Sequence, residues 1–314
     1  MPLSPRQHRR LDQIREKMSG LFGGHSEQPR PSLCPACRTL VGAGAKRCHQ
    51  CGANLTFSMA AASRSLGRLV PATSPATYGI LALSCGMYFL SLLWTVHLSG
   101  LQSSGGGLSG LLNFGGINGD VLRRLGASLQ LGGYVDQPGD LAQPWRLVTA
   151  VFLHGSILHI FFNMWVLMDI GPQIEELYGS ARYLFIYVVA GIGGYLVSSA
   201  FGHFSVGGSG ALLGLIGLLL AMSTGRQGAG MQMLRSQLIR WLVYMVIWGF
   251  LFPGIDNMAH LGGFATGFVL GKIMTDRVPA TPEQRKRAYT LGWAAALVVA
   301  ASFVMIILGN LRSS

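Results

Sequence analysis

Charge is scarce in this chain, and negative charge is scarcer still. Asp and Glu together number 12 against 24 Lys and Arg in 314 residues, and charged residues make up only 11% of the sequence while hydrophobic ones make up 50%. A chain so poor in charge, with a mean hydropathy of +0.42, has too little polar surface to enclose its apolar side chains in one soluble core, so it reads as a membrane protein. The sequence also has no basic repeat interleaved with aromatics, which removes the nucleic-acid reading of its +12 net charge. Nearly half of the Lys and Arg fall in the first 75 residues, as expected of a basic cytosolic face against anionic lipid. An apolar signal core is missing too: "MPLSPRQHRRLDQIREKMSG" is charged throughout and is expected to stay in the cytosol as a solvated arm, residues 1–30.

Cysteine is rare and concentrated. Four of the five lie in "CPACRTLVGAGAKRCHQC", as two C-x-x-C pairs, Cys34/Cys37 and Cys48/Cys51. Two such knuckles set four thiolates around one metal, the spacing of a zinc ribbon over residues 31–56. Its Zn2+ would be structural, because a closed tetrahedral site leaves no position for a substrate, and a cytosolic location disfavours disulfides. Nothing in the segment identifies its partner. Cys85 sits alone in an apolar run and reads as a small core residue.

What is abundant is long apolar sequence. After a linker at 57–75, seven stretches qualify as membrane helices: 76–98, 149–169, 183–202, 208–223, 237–253, 257–275 and 289–309. The fourth is short and starts at a Gly-rich loop, so it is expected to begin below the membrane surface inside a protein-lined cavity. The basic N-terminal region, Arg226, Arg235 and the loop 276–288 fall on one side if the N-terminus is cytosolic. The loop 99–148, the start of the fourth helix and the start of the sixth then face outward.

Polar groups inside these spans are costly and are candidates for function, with structural hydrogen bonding as the alternative. They are His154, His159 and Asn163 in "LHGSILHIFFNMW", Ser209 in "GGSG", and Asp256 and His260 in "DNMAHLGG". Ser209 opens the fourth helix and His260 lies about a turn into the sixth, so a Ser–His pair becomes available if the two helices pack closely. A serine hydroxyl needs such a base to become a nucleophile. Gly263, Gly267 and Gly271 recur every four residues near the His260 face, and Gly210, Gly214 and Gly217 thin the fourth helix, a small-residue pattern that suits close crossing. His159 and Asn163, at i,i+4, offer two donors to an oxyanion, together with backbone N–H groups at the Ser209 helix start. His154 stands at the entrance of its helix as a structural, water-binding or minor oxyanion residue. Asp256 either caps the sixth helix or orients the imidazole as a third member.

In this order the motifs "WR" (Trp145, Arg146), "HIFFN", "EELYGSARY", "GGSG" and "AHLGG" resemble those of the rhomboid intramembrane serine proteases, over roughly residues 76–275. The resemblance implies an all-α polytopic membrane protein with a six-helix rhomboid core; the apolar run in 289–314 adds a seventh transmembrane helix, and the cysteine spacing puts a small cytosolic zinc ribbon before the core. It implies Ser209 as nucleophile and His260 as general base in a dyad, with His159 and Asn163 on the oxyanion side and no cofactor for catalysis. Trp145 and Arg146 would be structural in the first outer loop, as would Glu175 and Gly179 in a cytosolic turn. It further implies a multi-pass protein of the cell (inner) membrane, with its site open to the outer face, that cleaves transmembrane protein substrates within the lipid bilayer. Those substrates would enter laterally past the helix at 237–253. Members of the family often place an aromatic four residues after the serine, where this chain has Leu213. A catalytically silent rhomboid-like protein that binds and routes membrane helices is the alternative. A transporter is disfavoured because the spans carry so few acidic groups.

The cysteine spacing generates its own test. Metal analysis of residues 30–55 is expected to find bound zinc that is lost with Cys48→Ser; a segment that folds equally well with neither metal nor Cys48 has no structural metal site.

Overall fold

The computed structural model describes residues 32–33, 40–41, 74–99, 116–133, 139–224, 226–251, 255–274 and 281–312. The chain divides into two units, Met1–Leu69 and Val70–Ser314. In the first, strands β1 (Ser32–Leu33) and β2 (Leu40–Val41) pair antiparallel, Ser32 opposite Val41 and Leu33 opposite Leu40. The basic arm and the cysteines expected to bind zinc, Cys34, Cys37, Cys48 and Cys51, lie outside the described residues.

The second unit is helical: α1 (Pro75–Ser99), α2 (Gly119–Arg124), α3 (Arg146–Thr149) with a 3-10 turn at Ala150–Phe152, α4 (Ile157–Tyr178), α5 (Ser180–Ala200), α6 (Ser209–Ser223), α7 (Ala229–Leu251), α8 (Asn257–Ile273) and α9 (Pro282–Arg312). Four of them, over Pro75–Leu98, Ile157–Tyr178, Ser180–Ala200 and Pro282–Leu311, are long and apolar enough to cross a membrane; Ser209–Ser223 is apolar but shorter. The expected span 149–169 is displaced along the chain. The helix starts at Ile157, where Ser156 takes an extended conformation and its hydroxyl accepts the His159 N–H, and the preceding residues form the 3-10 turn and an extended segment. The same helix runs on to Tyr178, and Gly179, at φ 78°, ends it with its N–H on the Glu175 carbonyl.

Charged residues among these helices satisfy backbone. The buried Glu175 carboxylate accepts from the Ala76 and Thr77 N–H groups, each at 2.8 Å, and from the Thr77 hydroxyl at 2.7 Å, which ties the start of α1 to the end of α4. From α3, Arg146 donates Nη1 to the carbonyls of Arg123 (2.8 Å) and Ala127 (3.1 Å), while the Thr149 hydroxyl donates to Gly126 O. Asp140 accepts from the Ser128 hydroxyl and the Leu129 N–H. Burial raises the Asp140 pKa above the usual carboxylate value, against those two hydrogen bonds and the nearby Arg146 charge, which lower it. Ser128 in turn exchanges backbone hydrogen bonds with Ser205, which joins this loop to the segment leading into α6.

Helix α6 is apolar on every side, and all of it except Ser209 and Leu220 is buried, as a helix hydrophobic all round must be. It packs on α8 through backbone. A Cβ on Gly263 would overlap the carbonyl of Gly210, one on Gly267 that of Gly214, and one on Gly271 that of Leu218. From the other side, a Cβ on Gly210 would stand 3.0 Å from Ala259 O, and one on Gly214 would stand 2.9 Å from Gly263 O. Both helices advance four residues per contact in the same direction, so they run parallel and in fixed register.

This seam gives a graded test. Gly267→Ala should destabilise the solubilised protein by about 1–3 kcal/mol in thermal unfolding, the usual cost of overpacking. Gly79→Ala, inside α1 where nothing lies within 4 Å of the added methyl, should not lower the midpoint and should raise stability by up to about 1 kcal/mol, since Ala is the better helix former.

Candidate functional site

Ser209 is the first residue of α6, so its N–H has no carbonyl one turn back to bond and remains available. The segment before it is held from several sides. Gly207 donates its N–H to Ala150 O at 2.9 Å, and the buried Tyr195 hydroxyl donates to Gly207 O at 2.7 Å and to Ala150 O at 3.3 Å. Gly207 sits at φ 128°, and a Cβ there would lie 2.6 Å from His159 Nε2, so both backbone conformation and space require glycine.

Across the glycine seam, His260 Nε2 lies 2.8 Å from Ser209 Oγ. For the hydroxyl to donate in that bond, the imidazole must carry its proton on Nδ1. His260 Nδ1 is buried with no hydrogen-bond partner among the described residues. No carboxylate among the described residues bonds it. Asp256 is turned to the start of α8, where Oδ1 accepts the N–H groups of Met258 (3.0 Å) and Ala259 (3.1 Å), and the same oxygen meets His203 Nδ1 at 2.9 Å. Its other oxygen accepts from the Ser198 hydroxyl. Burial works to raise the Asp256 pKa, but the hydrogen bonds from Ser198, His203 and Ala259 outweigh it and hold the carboxyl below its usual value. Of the two alternatives open in the sequence, the geometry is that of a cap.

His159 and Asn163 follow each other by one turn on α4. Asn163, only 4% exposed, donates Nδ2 to the His159 carbonyl at 2.8 Å, and its Oδ1 has no partner among the described residues. His154 precedes the helix, fully buried, its ring edge-to-face with His159 at 5.1 Å and both of its nitrogens without a partner among the described residues. Leu213 is buried in the core one turn after Ser209. Ser209, His260, His159 and Asn163 therefore converge around one helix start.

Sequence reasoning left unassigned what holds α7. Asp169 on α4 accepts from Gln237 Nε2 at 2.9 Å and Trp241 Nε1 at 2.7 Å, both on α7. Phe162 and Trp248 pack at 4.7 Å, and Trp165 meets Trp241 edge-on at 5.7 Å. Trp241 and Trp248 thus face α4, while Tyr244 and Phe250 are exposed. A lone carboxylate in an apolar span was the available signal for Asp169. Tyr195 gave none, since its role depends on a loop twelve residues away.

Residues 141–277 match the Rhomboid domain family. The chain is 37% identical over 139 residues to RHOMBOID-like protein 6, mitochondrial, of Arabidopsis thaliana, across 42% of this chain and 44% of that protein. It is 37% identical over 125 residues to Rhomboid protease GluP of Bacillus subtilis (strain 168), across 40% and 25%. It is 35% identical over 129 residues to Putative rhomboid protease YdcA of the same organism, across 40% and 65%. The chain spans less than half the length of the first two of these relatives.

The Asp256 geometry makes a direct prediction. Asn also caps helices, so Asp256→Asn should slow the reaction of Ser209 with a fluorophosphonate by less than about tenfold, whereas an imidazole-orienting carboxylate lost this way costs about 10⁴-fold.

Proposed function

We propose that this chain is a rhomboid-type intramembrane serine endopeptidase working through a Ser209–His260 dyad. The observation that carries the reading is the 2.8 Å contact between Ser209 Oγ and His260 Nε2, made across the glycine seam between two helices. Ser209 Oγ attacks the scissile carbonyl while His260 Nε2 takes its proton, and the new oxyanion is met by the Ser209 N–H, His159 and Asn163. His260 then protonates the departing amine, and water hydrolyses the acyl-enzyme by the same exchange in reverse. With Asp256 engaged in capping, the imidazole is oriented by its packing alone.

The substrates in this reading are transmembrane proteins, cut near the outer boundary of the bilayer. A segment with helix-breaking or small residues at the scissile bond suits the site, because a regular helix keeps its carbonyls bonded. Approach is lateral, past α7. The protein is multi-pass in the cell (inner) membrane, with its N-terminus and ribbon in the cytosol. The ribbon holds structural Zn2+ through Cys34, Cys37, Cys48 and Cys51; its support is the donor set itself and the β1–β2 pairing that brackets the first C-x-x-C in sequence. The alternative, a silent helix-binding protein, has no use for a serine hydroxyl bonded to an imidazole.

Cleavage of a reporter transmembrane span by wild type, reduced to background by Ser209→Ala in a protein of unchanged thermal stability, is the expected result. Folded wild type that neither cleaves the span nor reacts with a fluorophosphonate would exclude the protease.

A further inference from the structure

Several buried polar atoms near Ser209 have no partner among the described residues, and two of them lie close to one point. The place where a Cβ on Gly208 would stand is 2.7 Å from the Tyr187 hydroxyl, 3.4 Å from Val151 O and 3.6 Å from Asn163 Oδ1. Tyr187, on α5, is fully buried, with its ring packed 6.2 Å from that of Phe152. Both its hydroxyl and Asn163 Oδ1 are without partners among the described residues. A hydroxyl is a donor, an amide oxygen is an acceptor, and burial gives neither an alternative in solvent.

We propose that Tyr187 is a positioning residue that holds the Asn163 side-chain amide by donating to Oδ1 through one buried water, beside the Gly208 backbone. This rests on the dyad reading above and extends it. The chemistry fixes the amide one way round. With Nδ2 donating to the His159 carbonyl, Oδ1 is the amide atom left to accept from the hydroxyl. A flipped amide would set Oδ1 against that carbonyl, acceptor to acceptor. The second Nδ2 hydrogen is thereby left for the developing oxyanion. Gly208 is essential to the arrangement, since any side chain there would fill the space the three polar atoms share. Tyr187 itself never touches the substrate.

The test is a double-mutant cycle on the full-length chain, using cleavage of a reporter transmembrane span. Tyr187→Phe is expected to lower kcat by about ten- to a hundredfold with KM unchanged, as for a group acting only in the transition state. In an Asn163→Ala background the same change should cost less than about twofold. An equal loss in both backgrounds, no loss in either, or a raised KM with kcat intact would overturn the proposal; the first of these would mean that the hydroxyl serves Val151 O and the fold. If Tyr187→Phe does not fold, a fluorinated tyrosine at position 187 alters donor strength alone, and a kcat change from it that persists in Asn163→Ala would equally overturn the proposal. Wild type that neither cleaves the span nor labels at Ser209 marks instead the failure of the protease reading, and the positioning role falls with it.

Discussion

Main chain meets main chain between α6 and α8, and the geometry of the site depends on that contact. Three successive glycines of α8 lie against carbonyls of α6, at a separation where a single methyl group would overlap an oxygen. In a membrane, apolar side chains gain little by leaving lipid, so helices associate through dispersion contact and close backbone approach instead. The parallel register then sets Ser209, at the start of one helix, beside His260, one turn into the other. Widening the seam by one side chain would separate the hydroxyl from the imidazole by more than a hydrogen bond spans.

The rest of the helical unit confines polar groups so that this contact stands apart. Glu175, Asp256 and Arg146 each spend their charge on backbone at a helix start or a loop: α1 for the first, α8 for the second, and the α2 turn for the third. Asp169 does the same work between side chains, joining α7 to α4. The histidines and the amide around Ser209 are treated differently. His154, Asn163, Tyr187 and His260 each keep at least one buried side-chain atom without a partner among the described residues. In the proposed reading a transient anion beside Ser209 is met by donors instead: the Ser209 N–H, His159 and Asn163 Nδ2.

Much of this could be read along the chain. The spacing Gly263, Gly267, Gly271 announced a close crossing because four residues bring a helix back to the same face. His159 and Asn163 shared a face for the same reason. The second span was placed too early because Val148 to Leu153 is as apolar as a helix, while the cap at Ser156 is a single hydroxyl whose effect depends on the local backbone. Asp256 carried two readings four residues before His260, and only its bonds to Ser198 and His203, contributed by α5 and the turn after it, decided between them.

By itself, the sequence determined the scarcity of charge, the apolar runs, the glycine periodicity and the residue types able to act on a peptide bond. These are local properties, fixed by composition and by the helical repeat. Tertiary structure decided which of those residues meet. The pairing of Ser209 with His260, the hold of Tyr195 on Gly207, and the convergence of Tyr187 and Asn163 beside Gly208 each join residues of different helices or of a helix and a loop. No periodicity encodes such distances, because they follow from how closely separate segments can pack once their side chains are in place.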